Sequence, residues 1–342
     1  MWSGSAGCKA DDHRRSRFCC AARWEEMAME KIHIANAPCS WGTLEFDETQ
    51  PQKPAIPWGQ MLDELQAAGY EGTELGDWGY LPTATDHLAA ELYRRGLTLV
   101  AGFVPVMLRE PSTLRTGLEQ ALRIASLLAA VSQATGAAWQ PLLLLADENG
   151  RDPLRTSCAG RISPAQGLTP HEWRIFARNS EIVARVIYES TGLRTAFHHH
   201  CAGYVETPEE IARFLELTDP SLIGLTFDTG HYLYGSGSSE PELVEEALRR
   251  FDSRIWHVHF KDCSPRVAQE ARTQGWDYFT ALRHGVFCEL GQGTVPFPAV
   301  VDWLRQRSYQ GWIVVEQDVL PGMGSPYLSA LRNRQYLHGL GL

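Results

Sequence analysis

The sequence predicts an α/β protein that folds as a single (β/α)8 barrel of the TIM-barrel type. Eight short apolar segments alternate with eight amphipathic segments between about residues 31 and 338. Several of the apolar segments, such as PLLLLAD, show no polar alternation, which is typical of strands covered on both faces. No G-x-G-x-x-G follows the first strand, where a dinucleotide-binding sheet would require it. A closed barrel is therefore favoured over an open doubly wound sheet.

The predicted strands are short apolar runs, and several of them end in polar, titratable residues. In chain order they are IHIANAP (32–38), GTELG (72–76), LTLVAGFVP (97–105), PLLLLAD (141–147), RTAFHHH (194–200), LIGLTFDTGH (222–231), IWHVHFKD (255–262) and GWIVVEQD (311–318). Successive parallel strands must be joined by right-handed crossovers, which the intervening helices supply.

The predicted helices are indicated by apolar spacing and by capping residues. Thr169 before Pro170 is a typical N-cap, and Thr207 is followed three residues later by Glu210, as in a capping box. The helices are expected near 58–69, 84–95, 111–134, 169–190, 207–218, 241–251, 297–308 and 326–338. Residues 148–168 and 263–294 are left as long connections, and loops of that length often serve a function.

Composition narrows the classes of function. The 342 residues carry 31 basic and 41 acidic side chains, so the net charge is −10, which disfavours nucleic acid as a partner. No apolar run approaches the roughly 18 residues of a membrane span. The eight cysteines match neither a zinc-binding C-x-x-C pattern nor a compact disulfide framework. We therefore expect a reduced, cytoplasmic protein.

The first 30 residues differ from the rest of the chain. They contain no apolar core long enough for a signal peptide. We expect residues 1–30 to be a disordered extension, or the product of a mis-assigned start that truly lies at Met27 or Met29. Residues 31–342 are then the catalytic barrel domain.

The candidate functional residues lie at strand ends, which converge at one mouth of such a barrel. Because side chains alternate along a strand, the inward-facing set from strands five to eight is predicted to be His198 or His200, Asp228, His259 and Glu316. Nitrogen and carboxylate ligands together suit Mn²⁺, Co²⁺, Fe²⁺ or Zn²⁺. The simpler alternatives are a hydrogen-bonded scaffold histidine and, for Asp228, a helix cap.

Other residues are predicted to surround this mouth. Lys261 is the only lysine after residue 53 and shares a face with His259, although an ion pair with Asp262 would also explain it. Glu74 ends the second strand and is a candidate for substrate binding at the mouth. Asn36, Trp41 and Trp78 are further candidates for substrate binding near strands one and two, and packing is the alternative for the two tryptophans.

Six motifs together resemble the xylose isomerase-like TIM-barrel superfamily of sugar isomerases, epimerases and dehydratases, and most closely its inosose dehydratase branch. They are NAPCSWG (36–42), GYEGTELGDWGYLPT (69–83), FHHH (197–200), FDTGH (227–231), HVHFKD (257–262) and VVEQD (314–318). The resemblance extends over about residues 31–338.

The resemblance implies a set of metal ligands and a cofactor. In the superfamily the ligands are commonly Glu, Asp, His and Glu, and Asp228, His259 and Glu316 match the last three. His198 stands where the first glutamate is expected, which favours a one-sided elimination over a two-sided epimerisation. The implied metal is Mn²⁺ or Co²⁺, sometimes with glutathione as an added requirement.

The implied reaction is dehydration of a cyclic polyol ketone, foremost 2-keto-myo-inositol (scyllo-inosose) of inositol catabolism. Glu316, His200 or Lys261 would take the α-proton, and His231 would protonate the departing hydroxyl. The alternatives are a ketose epimerase or aldose–ketose isomerase and, in another class, a barrel that binds a polyol without turnover. A small polyol or sugar is the expected partner, with a homo-oligomer as an open alternative to a monomer.

Overall fold

The computed structural model describes residues 32–42, 56–320 and 322–342. Eight parallel strands close into a barrel in the order β1-β10-β7-β6-β5-β4-β3-β2. They are β1 (Ile32–Asn36), β2 (Gly72–Glu74), β3 (Thr98–Pro105), β4 (Leu142–Ala146), β5 (Thr195–His198), β6 (Ile223–Asp228), β7 (Ile255–Phe260) and β10 (Gly311–Val315). The predicted barrel is confirmed. The extension predicted for residues 1–30 lies outside the described residues.

Twelve α-helices lie in the described ranges, and most of them form the outer layer of the barrel. They are α1 (Trp58–Ala67), α2 (Thr85–Arg95), α3 (Leu114–Thr135), α4 (Pro153–Cys158), α5 (Pro170–Thr191), α6 (Pro208–Leu217), α7 (Thr229–Gly235), α8 (Glu242–Phe251), α9 (Pro265–Gln274), α10 (Tyr278–Arg283), α11 (Phe297–Gln306) and α12 (Pro326–Gly339). The capping box predicted at Thr207 is present, and the N-cap predicted at Thr169 is also part of a capping box, with Glu172. None of these helices combines the length and apolarity that a membrane crossing requires.

Alternation along the strands divides the core into two parts. Large side chains such as Phe197 and Phe227 face the helices and belong to the main apolar cluster. Smaller ones such as Ala35, Ala196 and Val314 form a second cluster inside the barrel. Small residues inside the strands leave room above them for polar groups at the strand ends.

The same alternation corrects the prediction for Asn36. Its neighbours Ala35 and Ala37 both belong to the interior cluster. Since adjacent residues of a strand point to opposite faces, Asn36 faces the helix layer and is fully buried there. It does not line the cavity described below.

The two long connections contain more structure than the sequence predicted. The first includes α4, whose Arg155 is fully buried and donates to both carboxylate oxygens of Glu210, at 2.8 and 2.7 Å. The second follows β7 and contains α9, α10 and a small antiparallel sheet of β8 (Asp262–Cys263) and β9 (Phe287–Cys288).

Asp262 joins the two ends of the second connection. Its Oδ2 accepts hydrogen bonds from the backbone N–H groups of Gly291 and Gly293, both at 2.8 Å. Its Oδ1 accepts from the backbone of Cys263 at 2.8 Å and of Val295 at 3.1 Å. The alternative of a Lys261–Asp262 ion pair is therefore not needed, because backbone groups surround this carboxylate.

Candidate metal and substrate site

Four buried side chains meet where β5, β6, β7 and β10 end. One potential ligand atom from each of His198, Asp228, His259 and Glu316 lies within 4.8 Å of all the others. The first three side chains are at most 2% exposed, and Glu316 is 12% exposed on the side of the cavity. Strand alternation predicted this set with either His198 or His200 as its first member, and the structure places His198 there. Their role as metal ligands remains a prediction.

His259 is at the centre of this cluster. Its Nδ1 lies 3.0 Å from Nε2 of His198, 3.3 Å from Oε1 of Glu316 and 3.8 Å from Oδ2 of Asp228. Oδ1 of Asp228 accepts from the backbone N–H of His231 at 2.7 Å, so the predicted helix cap is present too. Oδ2 of Asp228 accepts no hydrogen bond from the described residues. One carboxylate oxygen therefore caps a helix, and the other faces the cluster.

Glu74 orients the histidines from below. Its Oε1 lies 2.9 Å from Nε2 of His259 and 3.2 Å from Nε2 of His257. Donation from Nε2–H of His259 to this carboxylate leaves Nδ1 directed at the cluster. In metal sites, a carboxylate commonly accepts from the histidine nitrogen that does not bind the metal and so fixes the ring's orientation. Glu74 also lines the cavity, as predicted, and both of its contacts with the histidines are made by Oε1.

The cluster favours a positive charge at its centre. Burial alone would lower the pKa of His259, but the carboxylates of Glu316 and Glu74 raise it well above the usual value. Burial lowers the pKa of His198 well below its usual value, so that ring is neutral. Two imidazole nitrogens and two carboxylates around one point suit a divalent cation, which would take the place of the His259 proton.

We expect the pH dependence of metal affinity to change near pH 7. Burial raises the pKa of Asp228 to about 7, although the Lys261 ammonium opposes this shift. Below that pH, metal binding must displace a proton from Asp228 as well as from His259. The slope of log affinity against pH should then steepen by about one unit as the pH falls through 7. Competition between the protein and a chelating dye for Mn²⁺ measures this slope, and a constant slope would contradict the prediction.

Removing the Glu74 carboxylate is expected to weaken metal binding without abolishing it. Glu74→Gln keeps the shape of the side chain but no longer holds His259 in its Nε2–H form by a charged acceptor. We expect metal affinity to fall roughly 10- to 100-fold, as when other partners that orient a metal ligand are removed. Isothermal titration with Mn²⁺ measures the loss. Glu71→Gln is a matched control, because Glu71 pairs with the ring of His33 away from the cluster, and it should leave the affinity unchanged.

Lys261 forms an ion-paired group next to the cluster. Its Nζ lies 3.2 Å from Oε2 of Glu316 and 3.1 Å from Oδ2 of Asp318. Burial would lower the pKa of this lysine, but Asp318 and Glu316 raise it well above the usual value, so the side chain is charged. Asp318 also lines the cavity. It shares a strand face with Glu316, a signal that could have added it to the predicted site.

The rings of His200 and His231 pack against each other with centroids 3.8 Å apart and planes tilted by 40°. His200 lines the cavity, and its Nδ1 lies 2.7 Å from the carbonyl oxygen of Cys201. Donation to that carbonyl makes Nε2 the acceptor nitrogen, and burial together with Lys261 lowers the pKa of the ring to about 3. His231 lies behind it, fully buried in α7 and not part of the cavity lining. Its Nε2 is 3.5 Å from Nζ of Lys261.

A cavity lies above these residues, with about 650 Å³ of empty space including its opening to solvent. Three residues of α10 line it, and no sequence pattern selected any of them individually. They are Tyr278, Phe279 and Leu282. The only sequence signal was the length of the connection between residues 263 and 294.

The two tryptophans predicted near the mouth lie elsewhere. Trp41 is fully buried, and its indole N–H donates to Glu64 at 2.7 Å, so the packing alternative describes its position. Trp78 lies in a neighbouring groove, under the guanidinium of Arg123 at 4.3 Å from the ring centroid. Neither residue lines the cavity above the cluster.

Comparison with known proteins agrees with this architecture. A family model described as xylose isomerase-like TIM barrel matches residues 32–331. An inosose dehydratase of Geobacillus kaustophilus (strain HTA426) is 31% identical over 315 residues, which cover 92% of this chain and 96% of that protein. An inosose dehydratase of Clostridium botulinum (strain Alaska E43 / Type E3) is 25% identical over 308 residues, covering 90% and 97%.

Solved structures show the same fold at lower identity. The IOLI protein with a bound zinc atom superposes with a TM-score of 0.63 at 15% identity, covering 90% of this chain and 98% of that one. A probable 3-DHS dehydratase, AsbF of Bacillus anthracis, gives 0.63 at 12% identity, covering 90% and 99%. The 3-keto-D-glucoside 4-epimerase YcjR of E. coli gives 0.59 at 17% identity, covering 91% and 99%.

Proposed function

Because the chain belongs to the xylose isomerase-like TIM-barrel family as an inosose dehydratase-like member, and is thus a carbon–oxygen lyase, we propose that it dehydrates a cyclic polyol ketone with the help of a divalent metal. The substrate proposed is 2-keto-myo-inositol (scyllo-inosose), from the inosose dehydratases it resembles, with a role in inositol catabolism. The observation that carries the proposal is the buried set of two imidazoles and two carboxylates at the base of a cavity.

The reaction is an elimination. The carbon next to the ketone loses a proton, the hydroxyl on the following carbon departs as water, and the enol that remains rearranges to a dione. Most of the barrier comes from the negative charge that develops on the ketone oxygen, so the site must stabilise that charge. No oxidant or reductant is needed, because the elements of water are all that leave.

The metal would be held by His198, Asp228, His259 and Glu316. When bound, it would polarise the ketone as a Lewis acid. Mn²⁺ or Co²⁺ fits the mixed nitrogen and carboxylate donors. Glu74 would keep His259 in the orientation that binding requires, through the contact at 2.9 Å.

Proton removal is best assigned to His200. Its ring lines the cavity, and its acceptor nitrogen is set by the contact with Cys201. Because burial lowers its pKa to about 3, the ring is a weak base, so the transfer requires a polarised ketone whose α-proton is more acidic. Glu316 and Lys261, the other candidate bases, are paired with each other at 3.2 Å, and Lys261 is already protonated. The Lys261 ammonium instead donates hydrogen bonds toward a substrate oxygen.

Protonation of the departing hydroxyl requires a group on the same cavity. The Lys261 ammonium is the proposed donor. His231, predicted for this role, lies 3.5 Å from the Lys261 Nζ, does not line the cavity, and is neutral because burial lowers its pKa well below the usual value. This arrangement makes Lys261 the contact between the substrate and His231.

Turnover of scyllo-inosose by the purified protein tests the proposal. We expect a dione product in the presence of Mn²⁺ or Co²⁺, its loss with EDTA, and its return when metal is added back. Glutathione, which the family resemblance implies as an additional requirement, forms a separate arm of the assay. Absence of the dione in every arm, or activity indifferent to chelation, would refute the proposal.

The same assay separates the alternatives. An epimerase or isomerase would exchange the α-proton with deuterated solvent without releasing water, which NMR detects. A barrel that only binds a polyol would be stabilised thermally by the ligand and would show neither exchange nor product.

A further inference from the structure

Glu206 is a buried carboxylate in the loop between β5 and α6, and it has no part in the elimination described above. Its side chain is fully shielded from solvent. Its Oε2 accepts a hydrogen bond from the backbone N–H of Ala202 at 2.7 Å, and its Oε1 accepts one from the backbone N–H of Gly160 at 2.7 Å. The carboxylate therefore fastens this loop to the connection that follows β4.

The loop holds Ala202 in a conformation that alanine rarely adopts. Its φ is 64°, in the left-handed region where a Cβ atom is crowded. Such a conformation persists only where the surrounding contacts determine it. The hydrogen bond to Glu206 is one of these contacts, and the bond from the backbone N–H of His200 to the carbonyl of Val205, at 3.2 Å, closes the same turn. The turn thus fixes the orientation of the peptide group between Cys201 and Ala202.

This peptide group connects Glu206 to His200. Its N–H donates to the Glu206 carboxylate, and its carbonyl oxygen, which belongs to Cys201, lies 2.7 Å from Nδ1 of His200. The peptide is trans, so its N–H and its C=O point in opposite directions and the two contacts lie at opposite ends of one dipole. A charged acceptor at the N–H end makes the carbonyl a stronger acceptor, because hydrogen bonds in a chain polarise one another.

We propose that Glu206 is the positioning residue of His200, and that it acts through the Cys201–Ala202 peptide group. The hydrogen bond at one nitrogen of an imidazole decides which tautomer is present. A carbonyl that accepts from Nδ1–H of His200 keeps the proton on that nitrogen and leaves Nε2 to accept. The carboxylate stabilises this tautomer without contacting the ring. The consequence for catalysis rests on the proposed function, in which His200 is the base, whereas the effect on the tautomer does not.

Three variants separate this role from simple support of the loop. Glu206→Gln keeps the shape of the side chain and removes its charge, and Glu206→Asp keeps the charge and shortens the side chain. Asp147→Asn is the matched control, because Asp147 is also a buried carboxylate that supports this loop. It accepts from the backbone N–H of Tyr204 at 3.1 Å, which belongs to a different peptide group from the one that His200 contacts.

The measurements are made at a pH where Glu206 is charged. Burial raises the pKa of this carboxyl to about 7, although the Arg155 guanidinium opposes the shift, so the pH is kept well above that value. NMR of protein labelled with ¹⁵N-histidine, with diamagnetic Zn²⁺ present, reports which ring nitrogen carries the proton, and His200→Gln assigns the signal. We expect the Nδ1–H tautomer in the unmodified protein and in Asp147→Asn. In Glu206→Gln the Nε2–H tautomer should appear.

Steady-state kinetics with scyllo-inosose and Mn²⁺ measure the catalytic effect. In Glu206→Gln we expect kcat to fall roughly 10- to 100-fold with KM within about twofold, because a general base contributes roughly 100- to 10,000-fold and only its positioning is impaired. Glu206→Asp should retain a higher kcat than Glu206→Gln. Packing alone would give the reverse order, since glutamine keeps the shape of the side chain.

An Nε2–H tautomer of His200 in the unmodified protein would overturn the proposal, and this measurement requires no variant to fold. An unchanged tautomer in Glu206→Gln, an equal change in Asp147→Asn, or a higher kcat in Glu206→Gln than in Glu206→Asp would overturn it too. Dehydration of scyllo-inosose with an unshifted tautomer would refute the positioning role alone. A shifted tautomer with no dione product from the unmodified protein would refute the reaction and leave the positioning role standing.

Discussion

Asp228→Asn is expected to remove metal binding and activity while leaving the fold intact. The asparagine Oδ1 can still accept the backbone N–H of His231, which the aspartate accepts at 2.7 Å. The neutral amide nitrogen would replace Oδ2, the oxygen that faces His259 at 3.8 Å. Losing one charged ligand should lower metal affinity by more than the roughly 10- to 100-fold expected for Glu74→Gln, which alters only the support of a ligand. Because the reaction depends on the metal, we expect activity to fall about 1000-fold or more.

Metal analysis, Mn²⁺ titration and the dehydratase assay together measure these effects. Asp147→Asn is a matched control, because Asp147 is also a buried carboxylate at a strand end, and burial raises its pKa to about 6. It accepts from the backbone of Tyr204 at 3.1 Å and is not part of the cluster. Full metal affinity in Asp228→Asn would remove this residue from the ligand set.

Lys261→Met should reduce kcat strongly without preventing metal binding. The substitution keeps the aliphatic stem and removes the ammonium that lies 3.2 Å from Glu316 and 3.1 Å from Asp318. A substrate oxygen loses a charged donor, and removal of one such donor typically costs roughly 100- to 1000-fold in kcat. Without this cation the pKa of Asp318, which burial already raises, should rise further.

Steady-state kinetics and metal titration on the same preparation test this expectation. Arg95→Met provides the control, because Arg95 is another buried cation, paired with Asp63 and Glu91 at 2.6 Å each and remote from the cavity. It should lower thermal stability and leave kcat unchanged. A Lys261→Met protein with normal kcat would assign this lysine a purely structural role.

The strand-end residues could be predicted because two simple rules act together. Parallel strands in a barrel bring their carboxyl ends to one mouth, and alternation selects one face of each strand. These rules place His198, Asp228, His259 and Glu316 in one group without any knowledge of loops. They also place Asn36 correctly on the opposite face once its register relative to Ala35 is known.

Contacts between distant segments were not predictable in the same way. Glu74 reaches His257 and His259 across 183 and 185 residues, and no local pattern specifies that a carboxylate will lie beneath those rings. The position of α10 depends on how its whole connection folds back over the mouth. Trp41 is a further example, because its indole N–H donates to Glu64, 23 residues away on α1, and the side chain is part of the packing.

The hydrogen bonds around Asp262 have an evolutionary consequence. The Asp262 carboxylate accepts hydrogen bonds from the backbone of Cys263 and from that of Gly291, Gly293 and Val295. The two ends of the intervening segment are therefore held together at one residue. The contents of this segment can diverge, or be exchanged between relatives, with little strain on β7 or β10. The barrel can thus hold the cluster at its strand ends while the sequence of the segment that carries α10 varies.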